Sequence, residues 1–357
     1  MIAKGPVGGP HAHSGASIGR TMGLVVVALL PATAFGIYAF GWPALFLFLA
    51  TIAAAIAFEA ASLRVAGKPV RPFLLDGSAL LTGWIVAMTL PPWAPWWIGV
   101  LGAFVAIVLG KQAFGGLGQN VFNPAMIARI FLLISFPVEM TQFLEPRPLF
   151  SAGSPGIAEG FSIFLSGHPD FDAVSSASVL GSVKTQLGQG LALSDILKGG
   201  HDTLSLAVGM VPGSLGETSA VLLVAGGILL LATRVITWHA PVAMIATMAA
   251  LSGTFHLIDP QRFLDPAAHL LSGTFLFAAF FIVTDYVTAP ATGTGKLLFG
   301  AGVALLTFVI RTFAAYPEGI GFAVLLMNAT VPIIDHTIRP RIYGRKRSGE
   351  PIRYDEK

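Results

Sequence analysis

Residues 21–58 read TMGLVVVALLPATAFGIYAFGWPALFLFLATIAAAIAF and include no charged side chain. Residues 77–110 are equally free of charge. A transmembrane helix needs about 20 consecutive apolar residues, so each run is long enough for two spans joined by a tight turn. Across the 357 residues, 54% are hydrophobic and only 11% are charged, which is far from the composition of a soluble protein. The sequence therefore predicts an all-α integral membrane protein.

Apolar runs separated by polar residues, glycine and proline predict about ten transmembrane helices. The predicted spans are 22–40, 43–62, 73–91, 95–113, 125–140, 218–236, 240–258, 268–288, 297–313 and 319–337. The segment 77–92 (GSALLTGWIVAMTLPP) recurs loosely as 272–290 (SGTFLFAAFFIVTDYVTAP), and each half holds an odd number of spans. The second half must then enter the membrane in the opposite sense, which predicts two inverted repeats of about five helices each.

Basic residues lie at the ends of the apolar runs, where membrane topology explains them, so the net charge of +3 is no argument for nucleic-acid binding. Connections that carry Lys68, Lys111, Arg234 and Lys296 all fall on one side, which should be the cytoplasm. Both termini are then cytoplasmic. The predicted regions are a cytoplasmic arm 1–21, a first transmembrane half 22–140, an extracytoplasmic loop 141–217, a second transmembrane half 218–338 and a basic cytoplasmic tail 339–357.

The loop 141–217 is rich in glycine, serine and proline and is too long to be a simple connection. Its last part, 204–220, is apolar but interrupted by glycine and proline, which predicts a broken or re-entrant element. The chain has no cysteine, so it supplies no thiolate ligand for an iron–sulfur cluster. No metal-ligand cluster is apparent in the sequence. Any redox chemistry on this chain therefore needs an organic cofactor.

The segment 111–126, KQAFGGLGQNVFNPAM, stands between the fourth and fifth predicted spans. Its glycines let the backbone pass close to a ligand, its asparagines offer amide donors, and its proline suits the first turn of a helix. The residues concerned are Gly115, Gly116, Gly118, Asn120, Asn123 and Pro124. The pattern fits a cofactor or ion site, and it also fits a tight cytoplasmic turn with a helix cap.

Ionisable residues inside or beside the spans are candidates for function, because a buried charge in a membrane is costly. They are Glu59, Asp76, Glu217, Asp285, Asp335 and His336. Asp76 and Asp285 hold roughly corresponding places in the two halves, and we take them as candidates for an ion path. The competing interpretation is that several of these side chains lie at helix ends and face water.

Several blocks of the sequence resemble a known family. They are HAHSGASIGRTMGLVVVALLPATAFGIYAFG (11–41), LLDGSALLTG (74–83), LPPWAPWW (90–97), GKQAFGGLGQNVFNPAM (110–126) and SFPVEMT (135–141). Together they resemble the D subunit of Rnf complexes, which is related to the B subunit of the sodium-pumping NADH:quinone reductase. The resemblance extends over nearly the whole chain.

The resemblance implies a flavoprotein subunit in the bacterial inner membrane, which is not catalytic alone. It would serve a translocase that exchanges electrons between ferredoxin and NAD while moving Na⁺ or H⁺. Its implied partners are membrane lipid and the A, B, C, E and G subunits of the Rnf complex, above all the G subunit, which is itself a flavoprotein.

In this family FMN is attached through its phosphate to a threonine hydroxyl, in a motif of the form Asp-x-x-Ser-Gly-Ala-Thr. The matching residues here are Asp172, Ser175, Ser176, Ala177 and Ser178. Ser176 replaces the usual glycine, and Ser178 replaces the usual threonine. Serine keeps the hydroxyl that a phosphoester needs, so the resemblance implies a covalent FMN on Ser178, which would also make the chain a phosphoprotein.

Ser17 is a rival acceptor, because residues 14–17 read SGAS. Six residues before a true acceptor the motif has aspartate, whereas His11 stands at that distance from Ser17. The charge distribution also places Ser17 in the cytoplasm, whereas the attaching transferase of this family works outside the membrane. We therefore favour Ser178.

The hydrocarbon core is about 30 Å thick, too far for one electron hop, so a covalent FMN near the outer face implies a second cofactor. The resemblance suggests a noncovalent riboflavin or FMN, and we predict that Gly115, Gly116, Gly118, Asn120 and Asn123 form part of its pocket. The alternative function is a passive solute channel or transporter without a redox cofactor. An inverted repeat with carboxylates near the membrane centre fits that class as well.

Overall fold

The computed structural model describes residues 17–151, 153–168, 175–176, 178–189, 193, 203–314, 316, 318–340, 344 and 350. Most of these residues are helical. Six helices in this part of the chain are long and apolar enough to cross a membrane: Ile18–Phe40, Trp42–Val65, Trp96–Phe114, His239–Ile258, Gly293–Phe313 and Ile320–Thr337. The helical membrane class predicted from the sequence is confirmed, whereas the count of about ten spans and the boundaries of the five regions stay predictions.

The first helices show how the sequence starts and stops each element. Ser17 caps α1 (Ile18–Phe40) by accepting a hydrogen bond from the backbone N of Arg20 at 3.2 Å. Gly41 alone separates α1 from α2 (Trp42–Val65), and its φ of +80° lies in the region that favours glycine. Pro43 stands in the first turn of α2, where its missing N–H costs no hydrogen bond.

Two of the spans predicted from the sequence, 73–91 and 268–288, are each interrupted by a break in the structure. The first consists of α3 (Val70–Leu74) and α4 (Ser78–Thr89), and the second of α13 (Pro266–Leu271) and α14 (Phe275–Phe281). Gly77, with φ +79°, and Gly273, with φ +66°, lie at the two breaks. The sequences there are LLDGS (74–78) and LLSGT (270–274), so the same local pattern ends both short helices.

The other helices complete the bundle and its loop. They are α5 (Trp96–Phe104), continued by a π-helical turn (Val105–Leu109) and a 3₁₀ turn (Gln112–Phe114), α6 (Pro124–Ser135), α7 (Pro137–Thr141), α8 (Ile157–Ser166), α9 (Val179–Gly188), α10 (Thr203–Val208), α11 (Ala220–Ala232), α12 (His239–Ile258), α15 (Gly293–Phe313) and α16 (Ile320–Thr337). The predicted fifth span, 125–140, is shorter than expected, because α6 ends at Ser135 and Pro137 begins the separate α7.

The two halves pack in similar ways. In the first half α2 contacts both α4 and α5, and in the second half α12 contacts α13, α14 and α15. Glycine allows the closest approaches: a Cβ at Gly99 of α5 would overlap Thr51 of α2, and a Cβ at Gly300 of α15 would overlap the carbonyl of Ala240 at the start of α12. Close packing at a glycine therefore occurs in both halves.

The loop between the halves is partly ordered around short elements. Strand β1 (Phe143–Leu144) pairs antiparallel with β2 (Ser175–Ser176), with Phe143 opposite Ser176. α8 packs on the start of α2, where Phe161 meets Phe46 edge to face with ring centroids 5.7 Å apart. The stretch 204–220 is broken as predicted: after α10 comes a 3₁₀ turn (Leu215–Glu217), and Leu215 is fully buried in the main core of the bundle.

Candidate functional site

The glycine-rich segment after α5 forms the turn that the sequence predicts. Gly115, Gly116 and Gly118 have φ values of +118°, +109° and +88°, which only glycine adopts without strain. Asn123 caps α6 by accepting hydrogen bonds from the backbone N of Ala125 at 3.1 Å and of Met126 at 3.2 Å. The cap fixes the direction in which α6 enters the bundle.

A cavity of about 110 Å³ lies beside this turn, and we call it the Asn-lined cavity. Of the residues predicted for a second flavin, Asn120 and Asn123 line it, whereas the three glycines shape the turn and do not line it. Its other walls come from both halves and from α1: Thr21, Met22, Val25, Ser78, Leu81, Thr82, Ile85, Lys111, Leu117, Pro124, Ala125, Leu230, Val235, Ile236, Phe280, Phe281, Thr284, Asp285, Tyr286 and Val287. Thirteen of these twenty side chains are apolar, and pockets for organic cofactors are likewise mostly apolar.

A buried ion pair forms part of the wall of this cavity. Lys111 and Glu59 are each 2% exposed, and Lys111 Nζ lies 2.8 Å from Glu59 Oε1. Lys111 Nζ also donates to Ser78 Oγ at 2.8 Å, and Ser78 donates in turn to Asp76 Oδ1 at 2.6 Å. Lys111 lies in the predicted connection, and its side chain is buried because it pairs with Glu59 of α2; the side of the membrane that the connection faces stays a prediction.

Asp285 belongs to a second polar group that joins the two halves. Asn123 Nδ2 lies 3.5 Å from Asp285 Oδ2, and Thr288 Oγ1 donates to the same oxygen at 2.9 Å. Asn328 of α16 accepts from the backbone N of Asn123 at 3.1 Å and donates to the carbonyl of Thr288 at 3.0 Å. Side chains from α6, α16 and the turn after α14 therefore converge at one end of the Asn-lined cavity.

The two ion-path candidates do not hold corresponding positions in the helices. Asp76 precedes α4, whereas Asp285 follows α14, and the residue that matches Asp76 in the pattern LLDGS/LLSGT is Ser272. Both carboxylates are nevertheless close to one cavity, because Ser78, the partner of Asp76, lines it together with Asp285. The structure therefore relates both candidates to one cavity, Asp285 as a lining residue and Asp76 through its hydrogen bond with Ser78.

A second set of buried charges lies at the opposite ends of α4 and α14. Arg129 of α6 forms an ion pair with Glu318, with Nη2 and Oε2 2.5 Å apart, and also donates to the carbonyl of Thr89. Glu318 accepts from the backbone N of Thr274 at 2.9 Å. The sequence analysis missed Arg129 and Glu318, although a lone arginine inside an apolar helix is itself a signal.

Glu217 was singled out by the sequence, and the structure buries it. Its side chain is 7% exposed and accepts from Ser214 Oγ at 2.8 Å. By contrast, Asp335 lies in the last turn of α16 and is half-buried. It accepts a hydrogen bond from the backbone N of Ala291 at 3.0 Å. His336 is exposed beside it. No group of three or more metal-ligating side chains occurs among the residues described.

Ser178 stands at the start of α9 and caps it. Its side chain is 4% exposed, and Oγ accepts from the backbone N of Gly181 at 3.3 Å. Of the other motif residues, Ser175 and Ser176 form β2, whereas Asp172 and Ala177 lie outside the described residues. The hydroxyl therefore lies at a helix N-terminus, where backbone N–H groups favour a phosphate.

α9 is attached to the bundle by Lys184. Its ammonium donates to the carbonyls of Arg311 at 3.1 Å, Tyr316 at 3.3 Å and Ala314. These contacts satisfy carbonyls at the end of α15, where a positive charge is favourable. Burial lowers the pKa of Lys184 below its ordinary value.

A cavity of about 540 Å³ runs along one face of α9, and we call it the α9 cavity. Leu180, Val183, Lys184, Leu187 and Gly188 of α9 line it on one side. Its other walls are the segment 261–264, His269, and the end of α15 at Arg311, Thr312 and Phe313. Ser178 thus begins the helix that forms one wall of a large cavity.

The long apolar helices are typical of a multi-pass helical membrane protein. Two ion pairs lie beside the breaks in its shorter helices. The sequence profile of the NQR2, RnfD, RnfE family matches residues 7–344. Three curated relatives are each named as the D subunit of an ion-translocating oxidoreductase complex. They are from Halorhodospira halophila (51% identical over 98% of both chains), Rhodobacter capsulatus (53% over 85% of both) and Escherichia fergusonii (40% over 95% of this chain and 97% of the relative). The chain belongs to the NQR2, RnfD, RnfE family.

Proposed function

We propose that this chain is the flavin-bearing D subunit of an Rnf-type complex that exchanges electrons between ferredoxin and NAD and moves Na⁺ or H⁺. The observation that carries the proposal is Ser178, a hydroxyl at the N-terminus of α9 beside a large cavity, in a chain similar over its length to the D subunits of ion-translocating oxidoreductase complexes. FMN would be attached to Ser178 through a phosphoester. When bound, the flavin supplies the electron transfer, and the protein holds and orients it.

The residues around Ser178 fit such a group. A phosphoester requires a hydroxyl, which serine retains, and the first N–H groups of α9 supply donors for phosphate oxygens. Three residues that line the α9 cavity carry buried polar atoms without a hydrogen-bond partner: His269 Nδ1, Arg311 Nε and Thr312 Oγ1. Buried polar atoms of this kind usually have partners, so a polar ligand is expected there.

The Asn-lined cavity is the proposed site of a second, noncovalent riboflavin or FMN. Its apolar walls suit a flavin ring, and Asn120, Asn123 and Lys111 supply a small number of polar groups. The charge of Lys111 is compensated by Glu59, so the pair adds a hydrogen-bonding group to this wall and little net charge. We assign the direct contacts to the asparagines and Leu117, and the shape of the turn to Gly115, Gly116 and Gly118.

Asp76 and Asp285 remain the proposed ion path. Both are close to the Asn-lined cavity, so a change of charge on a ligand there would alter their affinity for a cation. In reconstituted vesicles containing the complex, Asp76→Asn and Asp285→Asn should each reduce ion pumping more than electron transfer. Pumping that stays at the level of the unmodified complex in both variants excludes this path.

We also infer that the halves are inverted repeats in the bacterial inner membrane, with both termini in the cytoplasm. α4 and α14 support this proposal, because they run in opposite directions: Ser78 at the start of α4 and Phe281 at the end of α14 line one cavity. At the other ends, Arg129 contacts the carbonyl of Thr89 and pairs with Glu318, which binds Thr274. The proposed partners are the A, B, C, E and G subunits of the Rnf complex and membrane lipid.

The experiment that tests the function is fluorescence of the denatured protein band, because a covalent flavin survives denaturation. The full chain, produced in a bacterium with the attaching transferase, should fluoresce and carry the added mass of FMN. Ser178→Ala should abolish the signal, and Ser178→Thr, which introduces the usual residue of the family, should retain it. Fluorescence that persists in Ser178→Ala would move the attachment elsewhere, with Ser17 first in line. No fluorescence in the unmodified chain would favour the channel or transporter.

A further inference from the structure

The α9 cavity contains more unsatisfied polar groups than any other described part of the bundle. Buried side-chain atoms without a hydrogen-bond partner occur in the described residues at Glu59, His239, His269, Thr307, Arg311 and Thr312. Half of these residues, namely His269, Arg311 and Thr312, line this one cavity. Arg311 is 6% exposed and His269 is 4% exposed, so water from outside does not satisfy them. A ligand with hydrogen-bonding atoms would satisfy them.

The guanidinium of Arg311 is held in one orientation. Nη1 donates to the carbonyl of His269 at 2.8 Å, and Nη2 donates to the carbonyl of Ser272 at 3.2 Å. The ion pairs formed within the described residues are Glu59 with Lys111 and Glu318 with Arg129, so none directly engages Arg311. Glu318 and Glu217 stabilise its charge electrostatically without forming an ion pair with it, so a closer anion would still be favoured. The cavity wall therefore offers a fixed cation with one free donor.

The remaining walls combine apolar side chains with the polar Lys184, Gln261 and Arg262. Leu180, Val183 and Leu187 of α9 face Phe263, Leu264 and Phe313 across it. The isoalloxazine ring of a flavin has the matching chemistry, with an apolar dimethylbenzene end and a polar pyrimidine edge that becomes negative on reduction. α9 rises about 1.5 Å per residue, so from Ser178 to Lys184 it covers about 9 Å. A ring tethered at Ser178 can lie along this face of the helix.

We propose that the α9 cavity binds the isoalloxazine ring of the flavin on Ser178, with Arg311, His269 and Thr312 at its polar edge, where they raise its reduction potential. This inference rests on the proposed attachment to Ser178. The charge of Arg311 and the hydrogen bonds of the other two residues stabilise the reduced ring more than the oxidised one, because the polar edge carries more negative charge after reduction.

The test measures the midpoint potential of the covalent flavin in the purified full chain. The Ser178→Ala variant carries no flavin at this position, so its redox titration reports only noncovalent flavin. Subtracting that titration from the titration of the unmodified chain leaves the signal of the covalent flavin. Arg311→Gln should weaken the preference for the reduced flavin at least tenfold, which lowers the potential by about 59 mV for one electron. Thr312→Val is isosteric and should lower the potential by a smaller amount.

The matched control is Thr307→Val, five residues earlier on α15. Its Oγ1 is likewise buried and without a partner, but Thr307 does not line the α9 cavity. The potential should therefore equal that of the unmodified chain. Thr312→Val, whose shape hardly changes, keeps the test decisive if Arg311→Gln fails to fold. His269→Asn, which places an amide nitrogen near the position of the imidazole Nδ1, should retain more of the potential than His269→Ala.

The outcomes separate this inference from the proposed function. A missing flavin on Ser178 contradicts the function itself. With flavin attached and the protein folded, an unchanged potential in Thr312→Val and Arg311→Gln overturns the inference alone. It is equally overturned if Thr307→Val lowers the potential as much as Thr312→Val. A phospholipid headgroup is another anion that could bind in this cavity, and native mass spectrometry detects bound lipid. If the unmodified chain carries a phospholipid that the Arg311→Gln variant lacks, and the potential does not change, the cavity binds a lipid headgroup and the inference is overturned.

Discussion

At the scale of residues, two buried ion pairs organise the bundle. Glu59 with Lys111 and Arg129 with Glu318 each join helices that are far apart in the sequence. Desolvation makes a buried charge unfavourable unless its partner is present, so the removal of one member costs more than the removal of both. Each pair also lies beside a break in a helix, because Lys111 binds Ser78 and Glu318 binds the backbone of Thr274.

We expect Lys111→Met to lower the free energy of unfolding by about 3–5 kcal/mol, because it leaves Glu59 buried without its cation. The double variant Glu59→Gln/Lys111→Met should recover most of that loss. Thermal unfolding in detergent, followed by tryptophan fluorescence, measures both. Lys68→Met is the control, since Lys68 is exposed and its loss should change stability by about 0.5 kcal/mol or less. A double variant no more stable than Lys111→Met would show that the two residues do not act as a pair.

At the scale of elements, the broken helices α3–α4 and α13–α14 are the features that distinguish this bundle from a set of simple spans. α4 has 12 residues and is about 18 Å long, shorter than a hydrocarbon core of about 30 Å. The breaks expose backbone groups inside the bundle, and side chains from other helices bind them: Arg311 binds the carbonyl of Ser272 at 3.2 Å, and Glu318 binds the N of Thr274 at 2.9 Å.

Alanine at the break glycines should reveal how tightly each break is packed. Gly77→Ala should lower the free energy of unfolding by about 1–2 kcal/mol, because alanine adopts a positive φ at a cost. Its Cβ would also lie 3.3 Å from Met22. Gly273→Ala should cost clearly more, because its Cβ would overlap Glu318 and lie 2.8 Å from Arg311 Nη2. Gly67→Ala, with φ +66° and nothing within 4 Å, isolates the cost of the dihedral angle. The same thermal unfolding assay ranks the three, and equal losses for Gly67→Ala and Gly273→Ala would contradict the packing argument.

At the scale of the whole molecule, the halves meet through polar contacts at the start and in the middle of α6. Asn123, at its start, contacts Asp285 and Asn328, and Arg129, further along, pairs with Glu318. The proposed function requires the α9 side of the molecule to face out of the cytoplasm. The assignment of the flavin to Ser178 rather than Ser17 depends on the same orientation.

Single cysteines can test this orientation without background, because the natural chain has no cysteine. Ser151→Cys, in the loop, should react with a membrane-impermeant maleimide in right-side-out vesicles. Ser17→Cys and Ala66→Cys should react only in inside-out vesicles, and all three positions are exposed. Labelling of the Ser17→Cys variant from outside would reverse the orientation and make Ser17 the better candidate for flavin attachment.

The sequence by itself determined the features that depend on neighbouring residues. Uncharged runs indicated the membrane class, Gly115 to Gly118 indicated a turn of positive φ, and Asn123 with Pro124 indicated a helix start. Each is local, because hydropathy and backbone dihedral angles are set within one or two turns of chain. The helical membrane class, the turn and the cap are all present in the structure.

Only the tertiary structure decided which distant residues meet. Lys111 is buried because it pairs with Glu59, which lies 52 residues earlier in the sequence. Arg129 pairs with Glu318, which lies 189 residues later. The interruption at Gly273 also depends on distant partners, because Arg311 and Glu318 satisfy its exposed backbone groups. At Gly77, by contrast, the backbone N of Ser78 is capped by the neighbouring Asp76. The α9 cavity has the same origin, since its walls come from α9, the segment 261–264, α13 and the end of α15. A pattern within one segment carries no information about the side chains that pack against it.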